Sequence, residues 1–297
     1  MSAARLLRLG DGRALGFAVY GDPEGTPLLL LHGTPGAHSQ LAIGDALGRE
    51  RGLAIVAPDR WGYASSDLPK SPSLAAFAAD MAALMDHLGH AHFAVGGISG
   101  GAPYASGVAA HLSPRVTALA LISPMGPIND PAVRGSLSPF HRFCFTLLPQ
   151  RPLAVRAIFH AFRASLLRSP RLAARLATLR AGRRDRTRIA EPGIAQWLLG
   201  SFLDGLRGGL SGPLSDLRTF SRPWGLDMGA IHVPARLWIG TADTAVPLSA
   251  ARLLARSISG CVLTELHGEG HLWVAEHYDD VLAWITNVTR ADAAARA

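Results

Sequence analysis

Ser99 stands in the run Gly96-Gly97-Ile98-Ser99-Gly100-Gly101, which contains the pattern G-x-S-x-G. Glycine is costly in a strand or helix because it has the most backbone freedom to lose. Glycines on both sides of one hydroxyl therefore point to a turn too tight for side chains. Residues two before and two after the serine pack together in such a turn, so Gly97 and Gly101 are the steric requirement and Gly96 is left with a packing role. A hydroxyl becomes a useful nucleophile when a base takes its proton. His271, in His267-Gly268-Glu269-Gly270-His271-Leu272-Trp273, is the expected base, with His267 as its competitor. The base needs an orienting carboxylate. Asp243, in Gly240-Thr241-Ala242-Asp243, is the expected acid; Asp130 is next in line, and Asp243 could instead cap the helix that starts near Pro247. Attack on a carbonyl creates an oxyanion that needs preorganised N–H donors. Gly100, at a helix N-terminus, offers one. The turn His32-Gly33-Thr34-Pro35-Gly36 can aim the Thr34 amide as the other, with His32 orienting the turn and not acting as a second base.

These residues need a scaffold that brings them together. Short apolar runs at 27–33, 53–60, 92–99, 116–124, 235–243 and 262–268 read as strands, most of them apolar on both faces as buried parallel strands are. Helical patterns alternate with them: 71–89, capped by Ser71 or Ser73 and ended at Gly89; the stretch from Ser99 to about His111; 247–258, with Pro247 at its first position; and roughly 271–287. The N-terminal residues read as a hairpin turning at Asp11-Gly12. Alternating strands and helices predict an α/β fold with a sheet covered on both faces. Ser99, Asp243, His271 and the 32–36 turn then all lie where strands end, the side on which open α/β sheets bind ligands. Residues 128–228 are helical in pattern, with no convincing strand, and are expected to form a lid. The expected domains are thus a core of 1–127 and 229–297 and a helical cap of 128–228. Phe140, Phe143, Phe145, Phe159, Phe162, Trp197 and Phe202 pack that cap, and some of them could line an apolar or aromatic acyl pocket.

Composition closes several alternatives. With 297 residues, 48% hydrophobic and 17% charged, the chain is globular. No apolar run approaches the roughly 18 residues that span a bilayer, and the first residues lack a secretory apolar segment, so a cytoplasmic location is expected. Cys144 and Cys261 show no CxxC spacing and the histidines no HExxH, so neither a disulfide framework nor a metal is expected. Residues 131–222 hold sixteen arginines and four acids, Asp185, Glu191, Asp204 and Asp216, a local charge of +12 against −5 for the rest. One lysine against 28 arginines indicates a general arginine preference, so neither a nucleic-acid nor a membrane partner is expected. The partner is a small-molecule substrate; the oligomeric state stays open.

The segments "HGTPG", "PDRWGYASSD", "GGISGG", "GTADTAVP" and "GEGHLW" resemble the α/β-hydrolase superfamily over residues 12–128 and about 228–288. They are most similar to its bacterial members with an HG-x-P oxyanion loop, the branch that includes proline iminopeptidases and small esterases. The resemblance implies an eight-stranded, mostly parallel sheet with an inserted helical lid. It also implies a Ser99–His271–Asp243 triad, oxyanion amides at Thr34 and Gly100, and no cofactor. A serine at the nucleophile position speaks against haloalkane dehalogenases and epoxide hydrolases, which use aspartate there. The expected activity is hydrolysis of an ester, thioester or lactone through an acyl-enzyme on Ser99. One alternative is an aminopeptidase of the proline iminopeptidase kind, with Glu191, Asp204 and Asp216 available to hold a substrate amine, although no tryptophan follows Ser99. The other is a cyclase, lyase or binding protein on the same fold.

Overall fold

The computed structural model describes residues 4–169, 172–173, 179 and 181–296. Its centre is one eight-stranded sheet: β1 (Arg5–Arg8), β2 (Ala14–Gly21), β3 (Thr26–Leu31), β4 (Leu53–Pro58), β5 (Phe93–Ile98), β6 (Val116–Ile122), β7 (Ala235–Gly240) and β8 (Val262–Leu266). They lie in the order β1-β2-β4-β3-β5-β6-β7-β8. β2 runs antiparallel to β1 and β4, and the remaining pairs are parallel. The N-terminal hairpin turns as expected at Asp11 and Gly12, where Gly12 takes φ +85°.

Side chains on a strand alternate between faces, and the two cores divide accordingly. Leu29, Leu31, Val95, Leu119, Leu121, Leu237 and Ile239 face one core. Leu28, Leu30, Ala94, Ala118, Ala120, Ile122 and Trp238 face the other. The first core is closed by α2 (Leu74–His87), α3 (Ala102–His111) and α8 (Leu248–Ser257) through residues such as Phe77, Val108 and Leu254. The second is closed by α9 (Tyr278–Arg296), through Val281, Leu282 and Ile285, and by Leu47 of α1 (Asp45–Arg51). Ser73 caps α2, its hydroxyl accepting from Ala76 N at 3.1 Å, and Gly89 follows at φ +78°.

The chain leaves β3 toward the second core and β5 toward the first, so the two connections diverge at the C-terminal ends of neighbouring strands. That divergence is the crevice in which α/β sheets place their ligands. Ser99 and the 32–36 turn stand on its two sides.

Between β6 and β7 the described residues include the helices α4 (Pro152–Arg168), α5 (Arg183–Ala190), α6 (Pro192–Gly205) and α7 (Ser211–Phe220). These helices rest on the loops that follow strands. Trp197 Nε1 of α6 donates to Gln40 O at 2.8 Å, Ala64 N donates to Gly205 O at 3.2 Å, and Gly212 N of α7 donates to Gly62 O at 3.1 Å. Three aromatic residues of this segment pack within it. Phe159, Phe162 and Phe202 join Leu166, Leu206 and Leu210 in a small separate cluster.

Element boundaries differ from the sequence reading in two ways. All six strands read as apolar runs end one to three residues before those runs do, because residues such as His32, Asp59 and Arg60 turn into loops that carry polar contacts. The last helix starts at Tyr278, not near His271; residues 271–277 form a loop with one short turn at Trp273–Ala275. Asp279 and Asp280 lie in the first turn of α9, where acids complement the helix dipole.

Candidate active site

β5 ends at Ile98, and Ser99 adopts φ +53°, a left-handed conformation that costs a non-glycine residue roughly 1–3 kcal/mol. The neighbouring glycines make this turn possible. A Cβ on Gly97 would sit 2.6 Å from Gly101 O, and one on Gly101 would sit 2.6 Å from Leu31 O. Gly96 admits the side chain of Leu30, whose Cδ1 lies 2.7 Å from where a Cβ would be. The chain then enters a single 3-10 turn, Ser99–Gly101, that leads directly into α3.

His271 reaches the serine from the loop after β8. Its Nε2 lies 3.0 Å from Ser99 Oγ and its Nδ1 lies 2.7 Å from Asp243 Oδ2. The Asp243 side chain is fully buried. Its other oxygen accepts from Ala245 N at 2.8 Å and Val246 N at 3.0 Å, so one carboxylate both shapes the turn before α8 and faces the imidazole. The competing candidates lie elsewhere: His267 is exposed in the turn after β8, and Asp130 Oδ1 accepts from Ala132 N of its own short helix at 2.9 Å. Burial disfavours a charged His271, but attraction to Asp243, the hydrogen bond to it and the nearby Asp185 outweigh that effect. The imidazole pKa is raised above its ordinary value.

The 32–36 turn is built around a buried histidine and a buried arginine. His32 Nε2 accepts from Arg60 N at 2.9 Å, which leaves Nδ1 to donate to Gly33 O at 2.8 Å. Burial, and then Arg60, hold the His32 pKa well below the usual imidazole value, so this ring is neutral and structural, as expected. Arg60 also donates to His32 O at 3.0 Å, to Gly33 O at 3.0 Å and to Thr34 Oγ1 at 2.9 Å. Asp216, reaching down from α7, binds Arg60 at 2.7 and 2.9 Å, and accepts from Thr34 Oγ1 at 2.5 Å, Tyr63 OH at 2.6 Å and Tyr104 OH at 2.8 Å. Burial works against the Arg60 charge, but Asp216 overrides it and the guanidinium pKa rises. The result sets Thr34 against Gly100, where any Cβ would collide with the threonine side chain. A Cβ on Gly33 would lie 3.4 Å from Ser99 Cβ. Thr34, Gly100 and Ser99 thus share one small space.

The sequence gives Arg60 and Asp185 no role, and it offers Asp216 only as a holder of a substrate amine, whereas in the structure Asp216 is bound to Arg60, Thr34, Tyr63 and Tyr104. Asp185 on α5 accepts from His271 N at 2.7 Å and Leu272 N at 2.9 Å. The readable signal was scarcity: residues 131–222 contain four acids, and two of them are buried against the candidate site.

A cavity of about 660 Å³ opens nearby, lined by Arg134, Arg142, Arg218, Arg222, Asn129 and Phe145 among others, but not by Ser99, Asp243 or His271. Phe220 separates it from Gly100: its ring lies 2.8 Å from where a Gly100 Cβ would be, and its centroid is 6.5 Å from that of Phe145. Among the described residues, no group of three His, Cys, Asp or Glu side chains could hold a metal ion, and no helix is long and apolar enough to cross a membrane.

Comparisons with known proteins agree with this architecture. Residues 26–277 match the family described as alpha/beta hydrolase fold. No curated protein matches the chain significantly. An alpha/beta hydrolase fold protein from Nakamurella multipartita is similar at 25% identity, covering 98% of this chain and 100% of that one, with a TM-score of 0.66. Epoxide hydrolase A from Mycobacterium thermoresistibile is similar at 20% identity, covering 98% of each chain, with a TM-score of 0.74. A thermophilic esterase from Thermogutta terrifontis is similar at 22% identity, covering 98% of this chain and 99% of that one, with a TM-score of 0.67. The family match spans well over half of the chain, and the chain belongs to the alpha/beta hydrolase fold family.

Proposed function

We propose that the protein is a serine hydrolase that cleaves an ester, thioester or lactone through an acyl-enzyme on Ser99. The observation that carries this reading is the continuous Ser99–His271–Asp243 relay, with contacts of 3.0 and 2.7 Å at the end of β5. Ser99 Oγ attacks the substrate carbonyl while its proton passes to His271 Nε2. Asp243 stabilises the imidazolium that forms and fixes the tautomer. The amides of Gly100 and Thr34 receive the oxyanion. Collapse of the tetrahedral species breaks the bond to the leaving oxygen or sulfur, which takes the proton from His271. Water then gives its proton to His271 and attacks the acyl-enzyme; collapse of this second tetrahedral species breaks the acyl–Oγ bond, releases the acid and returns the His271 proton to Ser99 Oγ.

The fold does not select this reaction, since an epoxide hydrolase, an esterase and an enol-lactonase all share it. A serine on the tight turn after β5 supports acyl transfer. The aminopeptidase alternative needs carboxylates free to hold a substrate amine. Asp216 is saturated by Arg60, Thr34, Tyr63 and Tyr104, and Asp204 pairs with Arg207 at 2.7 Å. The nearby cavity is lined by four arginines and no acid. A panel of p-nitrophenyl esters, an acyl thioester, a lactone and proline arylamide tests the choice. The expected result is turnover of at least one of the first three and none of the arylamide, lost in Ser99→Ala. Cleavage of the arylamide alone would contradict the proposal.

A further inference from the structure

His271 is held by more than its imidazole contacts. Its carbonyl accepts from Ser123 Oγ at 3.1 Å, and that hydroxyl in turn accepts from Trp273 Nε1 at 2.8 Å. Its amide donates to Asp185 Oδ2 at 2.7 Å, while Leu272 N donates to Asp185 Oδ1 at 2.9 Å. Asp185 is 3% exposed and comes from α5, outside the sheet and its flanking helices. Both of its oxygens are used on this one stretch of backbone. Gly270 completes the fit, because a Cβ there would fall on the Asp185 carboxylate. Gly270 does not have a positive φ, so its close approach to Asp185 and not a backbone requirement explains the glycine.

We propose that Asp185 is a positioning residue for the base: its grip on the His271 and Leu272 amides sets the imidazole against Ser99, and docking of α5 completes the relay. This inference rests on the hydrolase reading above for its kinetic consequence, though not for its geometry. The rest of α5 is built to dock there. Arg184 pairs with Glu269 at 2.7 Å, and Arg188 pairs with Glu269 at 2.8 Å and Glu276 at 2.6 Å. Those pairs attach the helix to the loop on either side of His271, while Asp185 binds the loop at the histidine itself. The charged groups around His271 are therefore Asp243 on the loop after β7, Asp185, Arg184 and Arg188 on α5, and Glu269 and Glu276 on its own loop. Asp185 is one of the negative groups that favour the protonated imidazole.

Asp185→Asn keeps the shape of the side chain but removes the charge and one acceptor, so one backbone amide loses its partner. A misplacement of about 1 Å can lower a rate roughly 100-fold. The variant is expected to lose a comparable factor in kcat, with KM changed less than about two-fold. Its His271 imidazole, followed by NMR titration, should protonate at lower pH than in the wild type. Gly270→Ala, whose Cβ would displace the same carboxylate from the other side, should reproduce the loss of kcat with Asp185 itself retained in the sequence. The Arg207→Gln variant, which breaks a surface pair, serves as the unchanged control. Wild-type kcat and an unshifted His271 titration in Asp185→Asn would overturn the proposal. A lower stability in both variants with the His271 titration unmoved would also overturn it, since Asp185 would then serve folding alone. If the wild type turns over none of the carbonyl substrates, the hydrolase reading fails, and the NMR titration still decides whether Asp185 sets the state of His271.

Discussion

At the scale of single residues, opposing effects act on His271. Burial alone would keep His271 neutral and a poor proton acceptor for a transient imidazolium. Asp243, at 2.7 Å and fully buried itself, reverses that balance and raises the imidazole pKa. In the proposed mechanism His271 must be neutral to accept the Ser99 proton, so activity is expected to fall as pH drops through this raised value. The acid limb of kcat/KM is expected to have its midpoint above the ordinary imidazole value of about 6.5. Asp243→Asn removes the carboxylate that favours protonation most and leaves the imidazole in the wrong tautomer. It should lower kcat by about 10⁴-fold and, in the residual activity, move the acid limb to lower pH. A pH–rate profile of both proteins checks this. An unchanged kcat would place the orienting acid elsewhere.

At the scale of elements, the loops after β3 and β4 are joined to α7 by one carboxylate. Arg60 is completely buried and Asp216 is 1% exposed, so neither charge can turn to water if the other is removed. Breaking such a buried pair costs about 3–5 kcal/mol, because the remaining charge is left without a partner. Asp216→Ala is expected to lose stability in that range in urea unfolding. It should also lower kcat, because Thr34 loses the contact that holds its hydroxyl beside Gly100. A loss below about 1 kcal/mol would mean that water or another side chain takes over the role of Asp216. The cis Thr34-Pro35 bond lies in this same loop.

At the scale of the whole molecule, the sheet is a wall between two apolar cores. Leu121, near the end of β6, has no exposed surface, whereas Leu153 on α4 is 81% exposed. Leu121→Ala should cost about 2–5 kcal/mol through lost burial and the cavity left behind. Leu153→Ala should stay within about 0.5 kcal/mol. Denaturant unfolding of the pair measures how far stability resides in the sheet. Much of this architecture was legible from the chain because fully apolar runs such as Leu28–Leu31 and Leu119–Ile122 suit strands covered on both faces. The tight turn at Ser99 was legible because its glycines are local and close in sequence. Asp185 and Asp216 were not, since they act across 86 and 156 residues, on His271 and Arg60, and no local pattern marks such contacts. The start of α9 was missed for a related reason: His271–His277 are held by contacts to Asp185, Ser123 and Arg188, which keep this stretch as a loop with one short turn instead of a continuous helix.

The proposed activation of Ser99 as a nucleophile is tested most directly by incubation with a fluorophosphonate, followed by intact mass measurement and peptide mapping. One adduct per chain is expected, on the peptide that contains Ser99, and it should be absent from Ser99→Ala. An unlabelled wild-type protein, or an adduct on another residue, would contradict the account.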